Sequence, residues 1–270
     1  MRPVGLSGIG VHSGADVSLV VSPADRGVTF SRTDLGGSVV ASAANVAATR
    51  LATVIAKDGI AVRTIEHLMS ALTALGIYAA HIAIDGPEVP IMDGSAAPFW
   101  DALSPHVGPG AAVPALHVVR PVVVGAGRAF AALLPGEARS FDVGIDFAAP
   151  VIGVQRAIFD LSRDDYAAEI APARTFGPLK DVHKLRRKGF AKGASLENVI
   201  AVDGARVANP EGLRFANEFA RHKLLDAIGD LSLAGAPIVG RFRSHRGGHR
   251  LNYRLLRAFL ADAQNFKIVA

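Results

Sequence analysis

The chain has 270 residues, half of them hydrophobic and a fifth charged, with a formal net charge of +5 and no cysteine. That length suits one large or two modest globular domains, and the missing thiols leave only nitrogen and oxygen to hold any metal. The positive balance points to an anionic partner, which nucleic acid, a phosphorylated small molecule and an acidic membrane surface all satisfy.

The first sixty residues read mainly as strands, at 17–21, 28–30 and 51–55, the last closed by a Lys57-Asp58-Gly59 turn. Thr64 is placed to cap a helix whose apolar face is Ile65, Leu68, Met69, Leu72 and Leu75, and Gly76 stops it. A buried strand is expected at 81–84, broken by Asp85-Gly86-Pro87. Ser95 then caps a short helix with Phe99, Trp100 and Leu103 inward. The glycine-, proline- and alanine-rich stretch 105–114 marks a domain boundary, giving domains 1–108 and 109–270. Beyond it, strands are expected at 115–124, 129–134 and 140–147, and short helices at 164–170 and 178–187. A strand at 198–202, a long helix at 211–233 ending at Gly235, a strand at 238–242 and a final helix at 251–263 complete the chain. Both halves end in the order helix, strand, helix, so the expected class is α+β, each half a sheet covered by helices. Residues 1–10 lack the apolar core of a secretory leader and no apolar run is long enough to span a bilayer. A cytoplasmic protein without stable membrane insertion is expected.

Chemistry concentrates on the long helix. Phe215, Phe219, Leu225 and Ile228 keep a helical period, so His222 and Asp226, four apart, share a face. Such a pair can bind one metal ion from successive turns, or form a simple surface ion pair. Catalytic zinc takes three ligands of this type, and a third is available at His67. Glu66 beside it can reach a water as general base, or merely favour the positive end of its helix. A site between the halves would draw on both helices. A second histidine, His249, follows the Gly247-Gly248 turn. Asp93 can orient the far nitrogen of a ligating histidine or hold its turn. Thr175 can donate to an oxyanion or cap a helix. Lys184, Arg186, Arg187 and Lys188 form a basic run, read as a solvated face or as a contact with acidic lipid or substrate.

Five stretches occur in order: TIEHLMSAL at 64–72, PIMDGSAAPF at 90–99, ARTFG at 173–177, RHKLLDAIGD at 221–230 and GHRLN at 248–252. With GIGVHSG at 8–14 they resemble, nearly end to end, the UDP-3-O-acyl-N-acetylglucosamine deacetylases, zinc amidases of lipid A synthesis. The resemblance implies one catalytic Zn2+ on His67, His222 and Asp226, with Glu66 as general base and His249 as general acid. It implies Thr175 as oxyanion donor, Asp230 as the acid supporting His249, and Lys223, Phe176 and Leu51 as substrate-binding. It implies hydrolysis of the N-acetyl group of a UDP-linked acylated amino sugar, the committed step of that synthesis. The implied fold is two similar α+β domains packed helix layer to helix layer as a β-α-α-β sandwich. Inserts fall near 41–63 and 177–204, the second forming the passage for the acyl chain. The chain departs from the resemblance at Ala52, where many members carry a cysteine near the active-site entrance.

Two rivals stand beside this reading. A zinc amidohydrolase acting on another acylated substrate would use the same ligands. A basic nucleic-acid-binding module is disfavoured because the aromatics, 13 Phe, 3 Tyr and 1 Trp, fall mostly in apolar segments and form no stacking set among the basic residues. No nucleic acid partner is therefore expected. A monomer is the expected oligomeric state.

Overall fold

The computed structural model describes residues 1–108 and 113–270. The N-terminal half runs β1 (Val4–Ile9), β2 (Asp16–Pro23), β3 (Val28–Arg32), β4 (Gly37–Val40), β5 (Val46–Ala48), β6 (Val54–Lys57), β7 (Ile60–Arg63), α1 (Glu66–Ala74), β8 (Ala80–Ile84) and α2 (Ala97–Leu103). The C-terminal half opens with β9 (Ala115–Val118), β10 (Val122–Ala126), β11 (Ala129–Leu134), β12 (Arg139–Asp146) and β13 (Val154–Asp160). It continues with α3 (Tyr166–Glu169), β14 (Phe176–Pro178), α4 (Val182–Arg187), β15 (Ile200–Asp203), β16 (Arg206–Val207) and α5 (Glu218–Leu231), then closes with β17 (Ile238–His245), α6 (His249–Leu260) and β18 (Phe266–Val269).

The two main sheets share one topology. The first is ordered β1-β2-β8-β3-β4, and the path of the second is β10-β11-β17-β12-β13. In each, the strand that arrives last from sequence sits at the centre, antiparallel to one neighbour and parallel to the other. Each half also inserts a small three-stranded sheet between its fourth main strand and its first long helix: β5-β6-β7 before α1, and β14-β15-β16 before α5. In the second half β9 pairs with the start of β17 and with β18.

Burial alternates along β2, β12 and β17, as it does when one sheet face meets water and the other the core. The helices fill the space between the sheets. Eight of nine residues of α1 and twelve of fourteen of α5 are buried, which requires neighbours on every side. α1 and α5 lie against each other, and α5 also packs on β12 and β13. The protein is α+β, two matched halves joined through their helix layers.

Several expected boundaries move. The helix expected at 211–233 begins at Glu218, because Gly212 takes φ +71° in a preceding turn. The final helix begins at His249, not at residue 251, and ends at Leu260. The strand expected at 115–124 is broken by Pro121 into β9 and β10, proline having no N–H for a ladder. Thr64 does not cap α1: its φ is +56° and its hydroxyl donates to the Glu88 carboxylate at 2.7 Å. Ser95 is not the cap of α2 either: Ala96 occupies that position without a side-chain cap, and the Ser95 hydroxyl lies one residue before it, accepting from the Ala97 N–H at 3.2 Å. Of the expected boundary 105–114, residues 109–112 lie outside the described residues.

Candidate active site

The first turn of α1 presents Glu66 and His67, and α5 faces it with His222, Asp226 and Asp230 on successive turns. The approach is close because position 229 has no side chain. A methyl group there would overlap the Glu66 carbonyl oxygen. The rings of His67 and His222 meet edge to face at 5.0 Å. Their Nε2 atoms lie 3.7 and 3.4 Å from Oδ1 of Asp226.

One ligand atom from each of these three buried residues lies within 4.8 Å of the others. The donor set fits a metal ion. Asp226 Oδ1 is buried without a hydrogen-bond partner among the described residues, a costly state for an anionic oxygen unless a cation meets it. Burial pushes the Asp226 pKa up, but its charged neighbours, Lys223 and His249 among them, hold it well below the usual carboxylate range. Burial lowers both histidine pKa values despite the attraction of Asp226, keeping the imidazoles neutral. Neutral imidazole and ionised carboxylate are the forms that ligate. His222 Nδ1 lies 3.1 Å from the Ala173 carbonyl. Donation there leaves the Nε2 lone pair free. Lys223 Nζ reaches the other Asp226 oxygen, Oδ2, at 2.7 Å.

His249 opens α6 beside this cluster, directly after the Gly247-Gly248 turn. Its Nδ1 lies 2.9 Å from Asp230 Oδ2, and its Nε2 stands 3.6 Å from Glu66 Oε1. Burial works against the His249 cation, but Asp230, Glu66 and Asp226 outweigh it and raise its pKa. The Glu66 pKa is raised chiefly by burial, against the pull of His249.

The structure thus brings together Glu66, His67, His222, Asp226, Asp230 and His249. Thr175, Phe176, Lys223 and Leu51 line the same cavity of about 900 Å³, whose walls include Ile91, Val182, Leu185, Leu196 and Val199. Thr175 is fixed by its backbone, donating to Gly94 O and accepting from Ile200 N. Phe176 packs against Phe219 at 4.9 Å with Lys223 Nζ 5.5 Å from its ring centre. Leu51 takes φ +65° and is 46 % exposed at the rim.

Other polar residues have structural work. Asp93 holds its turn, accepting from Ser95, and pairs with Arg214 at 2.9 Å rather than with a histidine. His12 is buried, accepts from the Ala191 N–H at 3.3 Å and, through its own backbone, donates to Glu88. His81 bonds Ser31. Arg186 turns back to the carbonyls of Ala191 and Ala194, while Lys184, Arg187 and Lys188 are exposed. Ala52 is fully buried. Two further residues join the site: Asn252, whose amide donates to Asp230 Oδ2 at 2.9 Å, and Thr53, which touches both Glu66 and Asp230. Asn252 sits inside the GHRLN stretch. Thr53 carries no sequence signal of its own.

Two matched α+β halves, a buried His/His/Asp cluster where their helices meet, and a carboxylate facing an imidazole beside it are the layout of a metal-assisted hydrolase. The family follows from comparison with known proteins. The family model described as LpxC: UDP-3-O-acyl N-acetylglycosamine deacetylase matches residues 1–261. Curated relatives named UDP-3-O-acyl-N-acetylglucosamine deacetylase include those of Campylobacter curvus (strain 525.92), 45 % identical over 99 % of this chain and 92 % of the relative, and Myxococcus xanthus (strain DK1622), 47 % identical over 98 % and 86 %. The relative from Brucella ovis (strain ATCC 25840 / 63/290 / NCTC 10512) is 42 % identical over 99 % and 96 %. The chain belongs to this deacetylase family and is an enzyme of the hydrolase class.

Proposed function

We propose that this chain removes the N-acetyl group of UDP-3-O-acyl-N-acetylglucosamine with the help of one zinc ion, releasing acetate in the committed step of lipid A biosynthesis. The observation that carries the reading is the ordered set of groups where α1 meets α5 and α6: a cluster fit for a cation, with Glu66 and His249 facing each other across 3.6 Å beside it. His67, His222 and Asp226 would hold the ion, which when bound supplies Lewis acidity, lowering the pKa of a water and polarising a carbonyl.

Glu66 takes the proton of the attacking water. Thr175 donates its hydroxyl to the oxyanion that develops on the acetamide carbonyl, a contribution typically of about 2.7–4 kcal/mol. His249, kept protonated beside Asp230, hands its proton to the departing amine, which leaves poorly as an anion. General acid–base groups so placed contribute about 10²–10⁴-fold each. Lys223 holds Asp226 from behind and, with Phe176 and Leu51, faces the substrate. The acyl chain occupies the apolar cavity, which supports assigning residues 177–204 as the insert that forms its passage. The matched strand orders support domains 1–108 and 109–270 and the smaller insert at 41–63. The positive balance of the chain suits a diphosphate. The protein acts as a monomer, and a cytoplasmic location goes with a nucleotide-linked substrate. Among the described residues no helix is long and apolar enough to cross a membrane.

The test is acetate release from a UDP-3-O-acyl-N-acetylglucosamine by the purified protein, before and after chelation and zinc return. Release that chelator stops and zinc restores is expected. A zinc-loaded protein that releases nothing across a range of acyl lengths would move the substrate elsewhere.

A further inference from the structure

We infer that Thr53 is a positioning residue of this site, setting the spacing between the group that takes the proton and the group that returns it. The inference rests on the assignment of Glu66 as base and His249 as acid. Thr53 is 2 % exposed and uses both its donors. Its backbone N–H reaches Glu66 Oε2 at 3.0 Å, and its hydroxyl reaches Asp230 Oδ1 at 2.6 Å.

Each bond decides which oxygen is left over. With Oε2 of Glu66 held by Thr53, Oε1 is the oxygen that faces His249. With Oδ1 of Asp230 held by the hydroxyl, Oδ2 is turned to His249 Nδ1 and Asn252. A single residue therefore fixes the carboxylate in front of the imidazole and the carboxylate behind it. These two belong to different halves of the molecule, on α1 and α5.

The local fold supports a built-in role. Thr53 directly precedes β6, and the β6–β7 hairpin pairs Val54 with Arg63. That register sets Thr53 over the chain that leads into α1, and a slip of one residue would turn it away. A β-branched side chain has few χ1 states, so the hydroxyl is aimed in advance.

The deciding variant is Thr53→Val, which keeps the shape and the N–H and deletes only the hydroxyl. Loss of such a partner is expected to lower kcat about 10- to 100-fold, with KM and bound zinc unchanged. Thr53→Ser should retain most of the wild-type kcat. Thr53→Val combined with Asp230→Asn should be no slower than Asp230→Asn alone, because the hydroxyl acts through Asp230. In the metal-free protein the His249 Nδ1 proton should exchange with solvent faster in Thr53→Val than in wild type. If the valine variant does not fold, Thr53→Ala against Thr53→Ser makes the same comparison, alanine being the slower. Wild-type kcat in the valine variant, equal loss in valine and serine, a rise in KM alone, or full additivity with Asp230→Asn would each overturn the role. Full turnover in Glu66→Gln or His249→Ala would instead remove the acid–base assignment beneath it.

Discussion

At the scale of single residues, the proposed roles require Glu66 to be ionised so that it can accept a proton and His249 to be protonated so that it can give one. Burial raises the Glu66 pKa above its ordinary 4.5, and the Asp230, Glu66 and Asp226 carboxylates raise that of His249 above its ordinary 6.5 against the effect of burial. Activity should therefore rise with pH as Glu66 loses its proton and fall as His249 loses its own, both limbs lying alkaline of the free side chains. The kcat/KM profile measures this, and His249→Ala should remove the descending limb while zinc stays bound. A descending limb that survives the substitution would assign the acid elsewhere. Glu66→Gln should keep zinc and lose about 10²–10⁴-fold in turnover. Most of these groups were legible in the sequence, because His222 and Asp226 stand one helical turn apart and the other site residues occupy distinctive stretches. Thr53 was not legible. One of its bonds uses the backbone N–H, which any residue but proline offers, and the other reaches Asp230, 177 positions away.

At the scale of elements, the packing of α1 against α5 sets the distance between one candidate ligand, His67, and the other two. Gly229 is the point of closest approach, where even a methyl group would overlap the Glu66 backbone. Gly229→Ala should push the helices apart, destabilising the fold by about 1–3 kcal/mol as overpacked sites do and weakening zinc binding as well. Chemical denaturation and metal titration check the two effects, and an alanine variant with wild-type values in both would mean that the helices do not constrain the site. The existence of these helices follows from apolar periodicity, which their packing rewards. Their ends follow from features that periodicity does not encode. The expected start at 211 gave way to Glu218 because the chain turns at Gly212 and because Glu218, fully buried, is held by Arg174 and the Arg214 N–H. The strands β1, β13 and β18 carry weaker sequence signals, β1 being interrupted by glycine and β13 and β18 holding charged residues within the strand.

At the scale of the whole molecule, the three candidate ligands are divided between the halves, His67 on one side and His222 and Asp226 on the other. A bound ion should therefore resist their separation. At a free-ion concentration about 100 times Kd, a ligand specific to the folded state adds about 2.7 kcal/mol of stability. Zinc-loaded protein should melt at a higher temperature than the chelated form, and His222→Ala should abolish both the bound zinc and the difference. Equal melting temperatures with and without the ion would mean that it does not bridge the halves. The order of helix, strand and helix in each half was visible in the sequence. The shared strand order was not, since it is set by which strands pair.

The same division bears on how the enzyme is made. A ribosome delivers His67 well before His222 and Asp226, so a nascent chain holding only the first half offers a single imidazole of the set. It lacks the other two members. The candidate ligand set is complete only when α5 has been synthesised and docked on α1, so an ion held by these three residues would be loaded at the end of folding and would report that both halves have met.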